Sequence, residues 1–201
     1  MCDGCGSPFD HDQGLGARCA ACMARPRQFD RARAACVYDE TSRDLVLKLK
    51  HGDRPDLGRL FAHWLSRAGA ELLADADAIT PVPLHPRRLF ARRYNQAAEI
   101  ARPLARLAHV RYLPDVLARV QPTQGQGGRS AIGRRQNVQG AFTAPLARRQ
   151  LIQDRRIVLV YDVFTTGATA EACSRALIQA GARAVDVLAV ARVRDATDIS
   201  I

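Results

Sequence analysis

Three groups of residues in this 201-residue chain have types and spacings that can do chemistry. The first is a quartet of thiols, Cys2, Cys5, Cys19 and Cys22, spaced C-x2-C-x13-C-x2-C. Each C-x-x-C pair lets two thiolates reach one metal ion from a tight turn. Two such knuckles complete the tetrahedral sulfur set that zinc prefers. Gly4, Gly6, Gly14 and Gly16 supply the turns. Four thiolates leave no open ligand position, so the expected ion is a structural Zn²⁺. It would replace the core that a segment of about 25 residues cannot build. The competing readings are four unrelated thiols or a redox-active pair. His11, inside the spacer, reads as a solvated hairpin residue, and Cys36 and Cys173 read as small buried apolar groups.

The second group is the run IVLVYDVFTTGATA. Thr165, Thr166, Gly167, Ala168 and Thr169 fall where a buried strand gives way to a helix. Small residues there let backbone N–H groups close around a phosphate, and the helix N-terminus favours its negative charge. Asp162, near the carboxyl end of the strand, would accept hydrogen bonds from sugar hydroxyls. Neither G-x-x-x-x-G-K-[ST] nor G-x-G-x-x-G occurs, which disfavours a nucleoside-triphosphatase loop and a dinucleotide fold. The alternative is a capped strand–helix turn in which the threonines serve only as N-cap residues.

The third group is basic. The formal net charge is +10, and residues 81–160 account for all of it, with 15 Arg against Glu99, Asp115 and Asp154. Such a segment predicts an anionic partner, either a phosphorylated ligand or nucleic acid, and charge alone does not choose between them. A solvated basic surface is the plain alternative.

The elements that must position these groups can be read from periodicity. Hydrophobic residues make up 47% and charged residues 25%, which excludes wholesale disorder, and the length allows one domain with a small appendage. No apolar run approaches a membrane span, and the polar, Cys-rich N-terminus does not resemble a secretory signal. A reducing cytoplasm is therefore expected, with the cysteines outside any disulfide framework. FDRARAACVYD alternates like a half-buried strand. Thr41 with Asp44 reads as a capping box for a helix ending at Gly52, and Pro55 as the start of a second helix. Leu57, Leu60, Phe61, Trp64 and Leu65 would form the core-facing stripe of that second helix. AITPVPL, PDVLARV, RRIVLVYD and AVDVLAVARV read as strands. Helices are expected over Asn95 to His109, bent at Pro103, and over AEACSRALIQA, ended by Gly181. The alternation predicts a doubly wound α/β domain with a mainly parallel sheet.

At this point the residues resemble a known family. IVLVYDVFTTGAT is similar to the phosphoribosyl pyrophosphate (PRPP) signature of the type I phosphoribosyltransferases. Nearly the whole chain resembles their ComF branch, named for bacterial competence and including GntX-like proteins. The motifs that carry the likeness run in order: the cysteine knuckles, LKLKHGDRPDLGRLFA, TPVPLHPRRLFARRYNQAAEIA, Thr123 and Gln126 as T-x-x-Q, RRQNVQGAF, and the PRPP loop. The resemblance implies a phosphoribosyltransferase-like α/β domain over 29–201 behind a zinc-knuckle module over 1–28.

It also implies roles. Thr165 to Thr169 would bind the 5-phosphate of PRPP and Asp162 the ribose, with Mg²⁺ bridging ribose and pyrophosphate oxygens. A nucleophile then displaces pyrophosphate. Pro83 to Arg88 lies where the family has its pyrophosphate loop, so Arg87 or Arg88 would neutralise leaving-group charge. Gln121 to Asn137, rich in Gly, would be a mobile hood, with a flexible surface linker the alternative from composition. Arg92 to Gln96 resembles the family's R-G-[FY]-N-Q, with Arg93 in place of Gly. Tyr161 stands where the signature has the first of two acidic residues, which puts the chemistry more in doubt than the binding.

Three functions are open on this reading. The chain is expected to be a ComF-like protein aiding uptake of single-stranded DNA in natural transformation, with Arg92 and Arg93 as DNA contacts. It would then be cytoplasmic, or peripheral at the inner membrane beside DNA-uptake machinery. The alternatives are an active phosphoribosyltransferase of nucleotide metabolism and a catalytically silent sensor of PRPP or nucleotides.

Overall fold

The computed structural model describes residues 1–51, 54–121, 138 and 140–194. Five parallel strands form the central sheet: β1 (Ala32–Val37), β2 (Ala78–Pro81), β3 (Arg111–Tyr112), β6 (Arg156–Phe164) and β7 (Ala184–Arg192). Their order is β1-β7-β6-β2-β3. The central pair β6 and β7 are the longest strands, and their runs of Val, Ile, Leu and Ala are buried on both faces, as parallel strands require. The strands β4 (Ala118–Arg119) and β5 (Phe142–Thr143) form a separate antiparallel pair.

The two faces of the sheet bury different layers. Val158 and Val160 of β6 pack with α2 (Glu40–His51), α3 (Leu57–Ala68), α4 (Ala70–Ala74) and α6 (Gln96–Leu107). Ile157, Leu159 and Tyr161 pack on the other face with α7 (Ala168–Gln179), the β4–β5 pair and the cysteine module, which includes the short helix α1 (Ala20–Ala24). Gly58 of α3 fixes one close approach. A Cβ there would lie 2.4 Å from the carbonyl oxygen of Glu99, so only glycine lets α3 and α6 meet at this distance.

At the amino ends of the strands a buried carboxylate ties three strands together. Asp186 on β7 has no exposed surface. It accepts from Arg31 Nε at 3.0 Å and Nη2 at 2.7 Å, just before β1, and from Arg156 Nη1 of β6 at 3.0 Å. Two guanidiniums on one buried carboxylate supply the pairing that such a charge needs.

Several sequence expectations are corrected. The reciprocal cap of α2 is Asp39 with Ser42, not Thr41 with Asp44. Ser42 N–H donates to Asp39 Oδ1 at 2.8 Å, and Asp39 N–H donates to Ser42 Oγ at 2.9 Å. Leu60 is 40% exposed rather than core, because α3 turns it away from both the sheet and α6. PDVLARV contributes only Ala118 and Arg119 to a strand, and that strand is outside the main sheet. A helix not anticipated, α5 (Pro86–Arg92), follows β2. It has no buried residue and so carries no apolar stripe by which periodicity could reveal it. Among the described residues no helix is long and apolar enough to cross a membrane.

Candidate functional site

β6 delivers the loop that the sequence singles out. It ends at Phe164, and α7 begins at Ala168 behind Gly167, whose φ of 80° lies in the left-handed region. A Cβ on Gly167 would meet Phe164 Cζ at 2.9 Å, so the turn needs glycine both for its conformation and for space. Thr166 Oγ1 accepts from the Ala168 N–H at 3.4 Å. Thr165, Thr166 and Thr169 are half-buried, while Gly167 and Ala168 are buried. The first turn of a helix therefore opens behind two hydroxyls and carries a third, Thr169, within it, an arrangement suited to holding a phosphate.

Asp162 and Tyr161 part company. The Asp162 carboxylate is half-buried, with Oδ1 accepting from the Val163 N–H at 2.7 Å and Oδ2 lying 3.1 Å from Lys50 Nζ. Tyr161 is only 6% exposed and packs in the opposite core, its ring 6.1 Å from that of Phe164. Burial pushes its phenol pKa well up, with the Asp162 charge adding to the shift, so Tyr161 stays neutral and offers no substitute carboxylate. The Mg²⁺ implied by the resemblance thus finds one carboxylate, already engaged by a protein cation. One paired carboxylate is a weak protein-side anchor for that ion, whose remaining ligands would have to come from ligand oxygens and water.

Lys50 was not anticipated. The usable signal was composition: the chain has two Lys against 28 Arg, both Lys in LKLKH. The R-G-[FY]-N-Q-like motif explains how the end of α2 is held beside the loop. Tyr94 Oη donates to the Leu49 carbonyl at 2.5 Å, and Asn95 Nδ2 donates to the Val82 carbonyl at 3.0 Å. Asn95 Oδ1 also caps α6 through the Ala97 N–H at 3.0 Å. Arg92 Nη1 donates to Gln96 Oε1 at 3.2 Å. Arg93 ends α5 with φ 64° and an exposed side chain. The glycine that the family motif has at this position matches that left-handed conformation.

Arg87 and Arg88 lie in the first turn of α5, whose N-cap His85 accepts from the Arg87 N–H at 3.3 Å. Arg87 is exposed and Arg88 half-buried. Burial, then the nearby positive charge of Arg88, lowers the pKa of Arg119 on β4, so two separate elements bring like charges towards each other. The expected hood lies almost wholly outside the described residues, as do Thr123 and Gln126. A cavity of about 310 Å³ lies elsewhere, lined by Arg25, Phe142, Glu171 and Arg175 among others. Ala168 alone of the predicted loop residues reaches it, while Asp162 pairs with Lys50 of α2, on the other face of the sheet.

The four predicted thiols come together. The Sγ atoms of Cys2, Cys5, Cys19 and Cys22 all lie within 4.8 Å of one another, and those of Cys5 and Cys19 are 3.7 Å apart. Tetrahedral coordination at a metal–sulfur distance of about 2.3 Å puts sulfurs about 3.8 Å apart, so the cluster fits one ion. The N–H groups of Cys5 and Cys19 point at Cys2 Sγ, at 3.5 and 3.3 Å. Burial raises the Cys2 pKa, but those donors outweigh it and lower the thiol to about 6. Burial pushes Cys5 up to about 12 despite the Arg192 charge. His11 is exposed and stands outside the cluster.

Arginines weld the cluster to the sheet. Arg192, at the end of β7, donates to the Cys5 carbonyl and lies over the Phe164 ring, 4.9 Å from its centroid. Arg27 donates to Glu171 Oε1 at 2.7 Å and to the Thr166 carbonyl at 3.4 Å, and Arg25 pairs with the same carboxylate. Burial opposes the charge on Arg27, but hydrogen bonds to Glu171 and Cys22 outweigh it and raise its pKa. The cysteine module thus touches the β6–α7 loop through Arg27.

No family model matches the chain. It is 31% identical over 196 residues to "Competence protein F" of Haemophilus influenzae, covering 95% of this chain and 84% of that protein. The chain belongs to the ComF/GntX family. "DNA utilization protein YhgH" of Escherichia coli is 30% identical over 200 residues, with coverage of 96% and 84%. Among solved structures, the allosteric regulatory enzyme of purine biosynthesis aligns with a TM-score of 0.49 at 21% identity. Glutamine PRPP amidotransferase from B. subtilis aligns with a TM-score of 0.43 at 20% identity. Each alignment covers 72% of this chain but only 30% of the other.

Proposed function

We propose that this ComF-family chain binds PRPP or a related ribose 5-phosphate at the β6–α7 loop and aids uptake of single-stranded DNA in natural transformation. The observation that carries the first part is the Thr165–Thr169 turn, which opens a helix behind two hydroxyls, with the Thr169 hydroxyl in its first turn and the Asp162 carboxylate at the end of the preceding strand. Backbone N–H groups of the first turn of α7 and the threonine hydroxyls hold the phosphate, and Asp162 accepts from a ribose hydroxyl. Arg87 and Arg88 face the more distal phosphates. Structural Zn²⁺ on the four cysteines holds residues 1–28 against the domain formed by 29–201. Mg²⁺ has no part in this reading, given the single, already paired carboxylate.

The balance between enzyme and sensor tilts towards binding, because Tyr161 is neutral and buried where the family signature has a second carboxylate. Calorimetric titration of the full chain with ribose 5-phosphate, PRPP and AMP tests the site. At least one 5-phosphate should bind, and Thr166→Ala should weaken it by about 1–2 kcal/mol, the loss of one hydrogen bond to a charged group. Binding of none of them refutes the reading. Rapid pyrophosphate release from PRPP would restore the transferase.

For DNA, α5 is the supporting feature. Phe90 is 90% exposed between Arg87, Arg88 and Arg92, Arg93. An exposed ring among cations supplies the stacking and phosphate contacts that single strands use. Arg92 is partly engaged by Gln96, so Arg87 and Arg93 carry most of the contact. Affinity for an oligothymidylate should fall steeply with salt and drop on Phe90→Ala. A cytoplasmic position, peripheral to the inner membrane beside the uptake machinery, goes with this role.

A further inference from the structure

Lys50 sits where the site would otherwise need an added cation. Its ammonium lies 3.1 Å from Asp162 Oδ2, with the Lys50 side chain 14% exposed and that of Asp162 24% exposed, so the pair is sheltered rather than a loose surface contact. The other oxygen of Asp162 already accepts from the Val163 N–H. The end of α2 that carries Lys50 is fixed by the bond from Tyr94 to the Leu49 carbonyl. The neighbouring position, Tyr161, offers no charge. A divalent ion entering here would meet one carboxylate and one fixed ammonium, a net charge near zero, where two free carboxylates would present −2.

We infer that Lys50 is the built-in cation of this site, so that a phosphorylated ribose bearing a pyrophosphate is recognised without Mg²⁺. The inference rests on the phosphate-loop reading above. Lys50 neutralises Asp162 in the free protein, and its remaining N–H donors face the anionic oxygens of the ligand. A lysine is a compact point charge with three rotatable donors, suited to replacing a hydrated ion that would otherwise bridge oxygens. The same substitution specifies the ligand class: an anionic sugar phosphate whose pyrophosphate oxygens are satisfied by protein cations, Lys50 with Arg87 or Arg88.

The test titrates the full-length protein with two probes, each in excess Mg²⁺ and in EDTA. Ribose 5-phosphate reports the loop alone, and PRPP reports the loop plus the pyrophosphate. For the wild type, PRPP should bind with affinities within about threefold of each other in the two conditions. Lys50→Met should weaken PRPP binding in EDTA at least about tenfold, in line with loss of a charged hydrogen bond. It should also create a Mg²⁺ dependence that the wild type lacks. Lys50→Arg should keep metal independence, which separates loss of charge from damage to α2. If ribose 5-phosphate binds but wild-type PRPP binding vanishes in EDTA, the inference is overturned while the loop reading survives. It is overturned in the same way if Lys50→Met leaves the metal dependence unchanged. If neither probe binds in either condition, the loop reading falls and takes the inference with it.

Discussion

Arg93→Gly should make the protein more stable while weakening its hold on DNA. Arg93 closes α5 with φ 64° and ψ −19°, a conformation that costs an L-residue with a Cβ about 1–2 kcal/mol. Its side chain is exposed and makes no hydrogen bond or ion pair among the described residues, so replacement forfeits no such bond there. Glycine removes the strain but gives the unfolded chain more freedom, which offsets about 0.4–1 kcal/mol. The net gain is about 0.8 kcal/mol at mid-range. At roughly 2–4 °C per kcal/mol for a chain of this size, Tm should rise by about 1–4 °C in differential scanning calorimetry. With Arg93 a DNA contact as proposed, its removal should also reduce the slope of log affinity against log salt for single-stranded DNA by about 0.7. Because the variant is more stable, unfolding cannot account for weaker binding. A fall in Tm would refute the left-handed-cap argument, and an unchanged salt slope would remove Arg93 from the DNA contact.

Asp186→Ala should destabilise by about 3 kcal/mol in urea unfolding, the lower end for breaking a buried pair, because Arg31 and Arg156 keep Asp75 and Asp30 as further partners. A loss under about 1 kcal/mol would show that the cluster is not what ties β1, β6 and β7 together. Metal analysis should find about one Zn²⁺ per chain, and chelation should lower Tm and expose four thiols to a thiol reagent. Metal-free protein with those thiols still protected would remove the zinc assignment. Tyr161→Phe should leave ribose 5-phosphate affinity unchanged, since the phenol packs in the core rather than against the loop. A tenfold loss would make Tyr161 a ligand contact.

What the sequence disclosed was local. Continuous Val–Ile–Leu runs marked β6 and β7, because a strand buried on both faces has no other composition available to it. The spacing of the knuckles brought Cys2, Cys5, Cys19 and Cys22 together, since each pair needs only one turn. Asn95 as the start of α6 was equally readable from its capping chemistry. What failed was tertiary or ambiguous. Asp39–Ser42 and Thr41–Asp44 are similar capping patterns two residues apart, and the one chosen depends on where β1 ends. Lys50 meets Asp162 across more than a hundred residues, a contact that no periodicity encodes. Tyr161 and Asp162 are adjacent in the motif, yet they serve opposite faces of the sheet, which a linear signature conceals.

The strand order has a consequence for how the chain is made. Among the described strands β1 pairs with β7 alone, and Arg192 at the end of β7 reaches the Cys5 carbonyl across 187 residues. A ribosome adding about 5–20 residues per second therefore takes roughly 10–30 s between finishing β1 and finishing that partner. During that interval β1 is an unpaired edge, and the thiols lack the sheet that later shelters three of them. The two knuckles can bind metal meanwhile, because they close a short loop whose entropy cost is small. An ion bound early would leave the nascent N-terminus as a compact, chemically protected cap, ready to dock when the last strand arrives. Zinc shortage would then be felt first as aggregation of newly made chains, before any effect on the finished protein.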